Sequence, residues 1–147
     1  RNRIRWNKVK YVPGYLEAIA YKDSKVVARH RIETTGKVKK LVVEPDNSNW
    51  KADGMDLQHL RVYAVDSKGR RVPDVNSHLR FRVEGDASIV AVDNGNIVSH
   101  ELHAVPERDL FHGSALVILR AGQTPGEITL ITECDDFKTV KTKLQTK

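Results

Sequence analysis

The feature that most constrains this chain is a period of two. Leu79, Phe81 and Val83 alternate with Arg80, Arg82 and Glu84; Leu60, Val62 and Ala64 share one face of the run Leu57 to Asp66; Ala115, Val117 and Leu119 share one face after Ser114. Successive residues of an extended strand point to opposite sides, so such runs bury one face and solvate the other. No helical period of 3.6 persists beyond a turn anywhere in the 147 residues. Turn residues separate the runs: Pro45-Asp46-Asn47-Ser48, Asp53-Gly54, Ser67-Lys68-Gly69-Arg70, Gly85-Asp86 and Gly122 to Gly126. From Lys37 to Lys147 this spacing predicts roughly six to eight short strands and an all-β fold, an antiparallel β-sandwich of immunoglobulin type.

Residues 1–36 form a separate piece. RNRIRWNKVKYV sets Ile4, Trp6 and Tyr11 among cations as a first strand, and Pro13-Gly14 ends it. Tyr15 to Lys22 is apolar on both faces, the pattern of a strand central in its sheet. Asp23-Ser24 makes a hairpin turn, and Lys25 to Thr34 returns as a third strand with a change of phase near Ala28. Three strands in so short a stretch cannot bury a core, because domains below about 40 residues usually need disulfides, metals or a partner. The expected organisation is therefore a partial three-stranded sandwich remnant over 1–36 and a complete sandwich over 37–147. The remnant should leave an apolar face and a sheet edge uncovered, which favours a homodimer or strand exchange through residues 1–36. A start at Arg1 with no targeting pattern suggests an excised piece whose address lies outside this sequence.

The net charge of +6 is unevenly placed. Residues 1–40 hold 12 Lys/Arg against 3 Asp/Glu, a net of +9, and the remainder holds 13 against 16, a net of −3. The basic residues alternate with apolar ones, as on a solvated strand face, and no nucleic-acid motif accompanies them, so nucleic acid is not an expected partner. No apolar run approaches the roughly 20 residues of a membrane helix, and no membrane partner is expected. A single cysteine, Cys134, excludes an intrachain disulfide and a multi-cysteine zinc site. Its acidic neighbours Glu133, Asp135 and Asp136 oppose thiolate formation, so it reads as a strand-end residue.

One stretch, Ala91 to Gly113, reads neither as strand nor as linker. It holds an Asn94-Gly95 turn signal, three of the six histidines (His100, His103, His112) and a Glu107-Arg108-Asp109 run. Two or three imidazoles with Glu101 have the chemistry of a zinc site, but residues three apart in an extended segment point to opposite faces, so no metal or cofactor is assigned. The competing reading is a self-packed loop in which Asn94, Asn96, Ser99 and Glu101 bond to backbone. Asn94, Asn96, His100, Glu101, His103, Arg108 and His112, with Trp50, are the candidates for a substrate-facing or interface surface. Trp50 is placed at the junction of the two modules. Trp50, Trp6, Tyr11, Tyr15 and Tyr21 are the aromatic rings available to stack on carbohydrate, in a chain only 6% aromatic. Asp53 with Asp56, and Asp135 with Asp136, are sequence neighbours. They do not build the pair of carboxylates about 5–10 Å apart that glycoside hydrolysis needs.

These residues resemble a known family. KADGMDLQHLRVYAVDSKGRRVPD, LRFRVEGDASIVAVDNGN, SHELHAVPERDLFHGSALVILRA and GEITLI resemble the C-terminal immunoglobulin-like domain of bacterial family two glycoside hydrolases of the β-galactosidase kind. They are also distantly similar to the immunoglobulin-like repeats of invasin-type adhesins. WNKVKYVPGYLEAIAYKDSKVVARHRIETTG resembles the last three strands of the preceding sandwich in the same enzymes, with Ser24 where the pattern usually has Gly. The resemblance implies a parent whose catalytic glutamates lie in a (β/α)₈ barrel. No strand–helix alternation here supplies a barrel, so no catalytic residue carries over and this fragment is not expected to be an enzyme. It implies an accessory role in carbohydrate breakdown, partners in the catalytic and sandwich domains of the parent chain, and a periplasmic or secreted bacterial parent. The alternatives are a carbohydrate- or cell-surface-binding module and an adhesin repeat.

Overall fold

The structure, a computed structural model, describes residues 3–147 and contains only strands as regular elements among them. The chain divides into two compact units, one ending at Thr35 and the other Gly36–Lys147.

The first unit is a hairpin of β1 (Tyr15–Lys22) and β2 (Lys25–Glu33). Asp23 and Ser24 have φ of 48° and 62°, the left-handed pair that a two-residue turn needs to follow the twist of the strands. The change of phase near Ala28 is a bulge: Ala20 pairs with Ala28 but Tyr21 with Val26, leaving Val27 unpaired. Two expectations need correction. Residues 3–12 form no strand, so among the described residues the unit has two strands, not three, and β1 pairs on one side only instead of lying centrally. Lys8, at φ 60°, interrupts the extended run that would have paired there. Arg1 and Asn2, the start of that expected strand, lie outside the described residues. The apolar side chains Val9, Tyr11, Val12, Tyr15, Leu16 and Ile32 are exposed in this unit.

The second unit is a sandwich of two antiparallel four-stranded sheets. One has the order β3 (Val38–Pro45), β4 (Leu57–Asp66), β8 (Ser114–Ala121), β6 (Ala87–Asp93); the other has β10 (Val140–Gln145), β9 (Glu127–Cys134), β5 (His78–Glu84), β7 (Glu107–Asp109). The period of two decides what fills the space between them. Leu60, Val62 and Ala64 of β4, Val117 and Leu119 of β8, Leu79 and Phe81 of β5, and Ile128 and Leu130 of β9 form one buried cluster. Each large aliphatic side chain there contributes about 1.5–3 kcal/mol by leaving water.

Trp50 belongs to this core. It is 1% exposed, its backbone bridges Thr146, and its indole Nε1 donates to the carbonyl of Asp56 at 3.1 Å. Its candidacy as a surface residue is therefore corrected, since a ring enclosed by the core has no face to offer a sugar. The reason is local: Asp56 accepts the Lys51 amide at 2.8 Å and Asp53 accepts those of Met55 and Asp56, folding residues 51–56 into a turn beside the indole.

The stretch 91–113, expected to be neither strand nor linker, also differs from expectation. Its start belongs to β6, and Glu107–Asp109 forms β7, which pairs with β5 through His78↔Asp109 and Arg80↔Glu107. Three residues are too few to show an alternating pattern in sequence. Because β6 and β7 are edge strands of opposite sheets, residues 94–106 cross from one sheet to the other.

Candidate functional site

The crossing segment is organised by side chains that bond to its own backbone. Asp93 Oδ1 accepts the amides of Asn94 (2.7 Å) and Gly95 (3.2 Å), and Asn94 Oδ1 accepts that of Asn96 (3.0 Å). Asn94 Nδ2 donates to the carbonyl of Asp109 at 2.9 Å, and Asn96 Oδ1 accepts the Val98 amide at 3.2 Å. These short polar side chains offer the backbone partners that a sheet ladder would otherwise supply. Further on, Ser99 Oγ donates to Glu101 Oε2 (2.8 Å), and Glu101 Oε1 accepts the Asp109 amide (2.9 Å), tying the loop to β7. His103 Nδ1 donates to the Val92 carbonyl (2.9 Å) while its own carbonyl accepts the Val92 amide (2.8 Å), tying it to β6.

Arg108 lies at the centre of this arrangement, only 1% exposed. Its Nη1 donates to the Glu101 carbonyl at 3.0 Å and its Nη2 to Asn94 Oδ1 at 3.1 Å. Asp93 Oδ1 stands 3.5 Å from Nη2, and Glu101 Oε2 stands 3.4 Å from Nε without hydrogen-bonding geometry. A planar fork of donors suits several fixed acceptors at once. Arg108 is therefore an internal brace, not a surface group.

The carboxylates are tuned accordingly. Partial burial pushes the Asp93 carboxyl up, but the amides of Gly95 and Asn94, with His103 and Arg108, outweigh it and hold the acid below its ordinary value. Burial likewise opposes ionisation of Glu101 and is outweighed by the Asp109 amide, the Ser99 hydroxyl, Arg108 and His78. His78 is raised, first by its hydrogen bond to Asp109 at 2.7 Å, against partial burial, and then by Glu107.

Of the residues singled out in sequence, Asn94, Asn96, Glu101 and Arg108 thus form one network, with His103 at its margin. His100 is exposed, and His112 lies in the turn before β8, at φ 49° with its ring 4.2 Å from that of Phe111. The three histidines do not converge. Among the described residues, the group of metal-capable side chains whose ligand atoms do converge is His78, Glu101 and Asp109. Sequence alone does not single out His78 and Asp109, because their meeting is a cross-strand pairing between β5 and β7, and no local pattern announces the register. Asn76, Asn94, Asn96, Ser99, Glu101 and Asp109 border an open depression of about 320 Å³.

The outer surface of the loop differs from its polar interior. Ile97, Val98 and Leu102 are 98%, 75% and 69% exposed. The internal bonds therefore hold an apolar tip out from the sandwich. Elsewhere, the sequence-adjacent carboxylates serve turns and ion pairs: Asp53 and Asp56 accept local amides, Asp135 pairs with Arg80, and Asp136 accepts the Ser77 hydroxyl.

The fold recurs in known proteins. The chain is 36% identical over 141 residues to beta-galactosidase BoGH2A of Bacteroides ovatus, covering 96% of this chain and 16% of that protein. A beta-galactosidase of Thermoanaerobacter pseudethanolicus is 28% identical over 127 residues, again with only 15% of its length covered. Among solved structures, a glycosyl hydrolase family 2 member from Bacteroides cellulosilyticus superposes with a TM-score of 0.91 at 32% identity, covering 95% of this chain and 18% of that one. Residues 1–28 match a family described as Domain of unknown function (DUF4982). Residues 41–143 match the model of the glycoside hydrolase family 2 C-terminal domain 5, and the chain belongs to that family.

Proposed function

We propose that this chain is a non-catalytic accessory region of a β-galactosidase-type family two glycoside hydrolase, supporting the catalytic barrel in carbohydrate breakdown. The observation that carries this reading is the pre-ordered loop 94–106, which holds Ile97, Val98 and Leu102 in solvent while Asn94, Asn96 and Glu101 brace it from within. An apolar tip on a rigid support is the form of a docking surface, not of a reaction centre. The chain spans only 15–16% of the length of the two curated relatives described above, which supports a surface for such a tip in the remainder of a parent chain. Residues 1–36 are read as the closing strands of a preceding sandwich. A lone hairpin is marginal in water, and its exposed Tyr15, Leu16 and Ile32 need further strands to cover them.

The test has two arms. The 147-residue chain should fold cooperatively and release no product from a chromogenic galactoside; turnover that survives repurification overturns the reading. In the parent enzyme, Ile97→Asp with Leu102→Asp should lower the barrel's thermal stability or kcat/KM. Parent variants indistinguishable from wild type in both would remove the supporting role.

A further inference from the structure

Beside the loop, four side chains face one another across β5, β7 and the crossing segment. His78 Nδ1 lies 2.7 Å from Asp109 Oδ1, and His78 Nε2 lies 3.6 Å from Glu107 Oε2. Glu101 joins them: one ligand atom from each of His78, Glu101 and Asp109 lies within 4.8 Å of the other two. We propose that His78, Glu101 and Asp109, with Glu107 at their edge, form a binding site for a divalent transition-metal cation such as Zn²⁺.

Three observations carry this. The first is the donor set, since an imidazole with carboxylates is the ligand chemistry of zinc and its first-row neighbours. The second is spacing. Ligand atoms about 2.0–2.2 Å from a tetrahedral ion sit roughly 3.4 Å apart, so closing a 4.8 Å set takes only side-chain adjustment. His78, Glu107 and Asp109 are exposed and free to make it. The third is charge. Asp93, Glu101, Glu107 and Asp109 are four carboxylates around Arg108 and two imidazoles, His78 and His103. Arg108 is already held by Glu101 and Asp93, so the group keeps an excess of negative charge even with both imidazoles protonated. Glu101 is also held in place, with its two oxygens fixed by Ser99 Oγ and the Asp109 amide, and it keeps lone pairs free. Such outer bonds orient a ligand before the ion arrives. A bound ion would join β5, β7 and the crossing loop at one point. The proposal concerns this chain alone and does not rest on the accessory role of the region.

The experiment is a calorimetric titration of the chelator-treated 147-residue chain with ZnCl₂, alongside melting curves with and without Zn²⁺. Saturable binding at one equivalent with a raised Tm is expected. Losing an outer partner of a metal ligand already costs about 10–100-fold in affinity, so His78→Ala and Asp109→Asn should each weaken binding at least that much. The variant His100→Ala, at an exposed position outside the network, should bind as wild type. Circular dichroism of the metal-free variants establishes that they fold; if His78→Ala does not, the near-isosteric Asp109→Asn decides. No saturable binding, undiminished binding by Asp109→Asn, or loss of binding in the His100→Ala variant each overturns the assignment.

Discussion

Replacing Arg108 by Met keeps much of the side chain's length and removes its charge and all its donors. The structure sets the cost. Three hydrogen bonds are lost, to the Glu101 carbonyl at 3.0 Å, to Asn94 Oδ1 at 3.1 Å and, at the long limit, to Asp93 Oδ1 at 3.5 Å, from a guanidinium that is 1% exposed. Hydrogen bonds to a charged group are worth about 1.5–3 kcal/mol each, giving an upper figure of about 3–6 kcal/mol for the two short ones. The acceptors lie on a loop and regain some water, and the ion pairs to Asp93 and Glu101 are longer and partly exposed. We therefore expect a net loss of about 2–3 kcal/mol. At about 3–5 °C per kcal/mol for a unit of this size, Tm falls by about 10 °C. Urea unfolding measures the change directly, and hydrogen exchange localises it: protection of the amides of Asn96, Val98 and Asp109 should fall with it. Arg80→Ala is the control, because its partner Asp135 is exposed and such pairs contribute at most about 1 kcal/mol. If Arg108→Met unfolds at the wild-type urea concentration with unchanged loop protection, Arg108 is no brace, and the case for a pre-ordered loop fails with it.

Gly113→Ala should be more damaging than its size suggests. Gly113 has φ +69°, and an added Cβ would stand 1.9 Å from the Val72 carbonyl oxygen, so a loss of about 3 kcal/mol or more in urea unfolding is expected. Trp50→Ala should cost about 3–5 kcal/mol, whereas Trp6→Ala, at an exposed position, should change stability by no more than about 0.5 kcal/mol. Asp66 gives the pH dependence. It accepts the amides of Gly36, Lys68 and Arg70 and pairs with the Arg70 guanidinium, and the Gly36 amide above all holds its carboxyl far below the ordinary value against the opposing effect of burial. A depressed acid stabilises the folded state above its unfolded pKa and loses that contribution as pH falls, so the wild type should weaken progressively below about pH 4. Asp66→Asn should be less stable at neutral pH and show a shallower decline on acidification; equal acid profiles would refute the assignment.

Much of the sandwich was legible because strand periodicity is a local property. Leu57–Asp66 was delimited to the residue, and the Asp23-Ser24 turn and the phase change near Ala28 were read from turn chemistry and alternation alone. The self-bonding of Asn94, Asn96 and Ser99 is legible for the same reason, since each accepts an amide two residues on, whereas Glu101 reaches the Asp109 amide eight residues away. What escaped were features without a local pattern: the three residues of β7, the single-sided pairing of β1, and the burial of Trp50.

Alternation and turn chemistry alone specify an all-β chain, where its hairpins turn and which faces of its strands are apolar, and resemblance gives the family to which it belongs. What those strands bring together follows from their packing. It brought His78 of β5 opposite Asp109 of β7, turned Arg108 inward beneath the loop, and left Ile97 outside it. The physical reason is that alternation specifies a face but not a partner. A strand's neighbour and register follow from the core as a whole, and side chains far apart in sequence meet only once that core has formed.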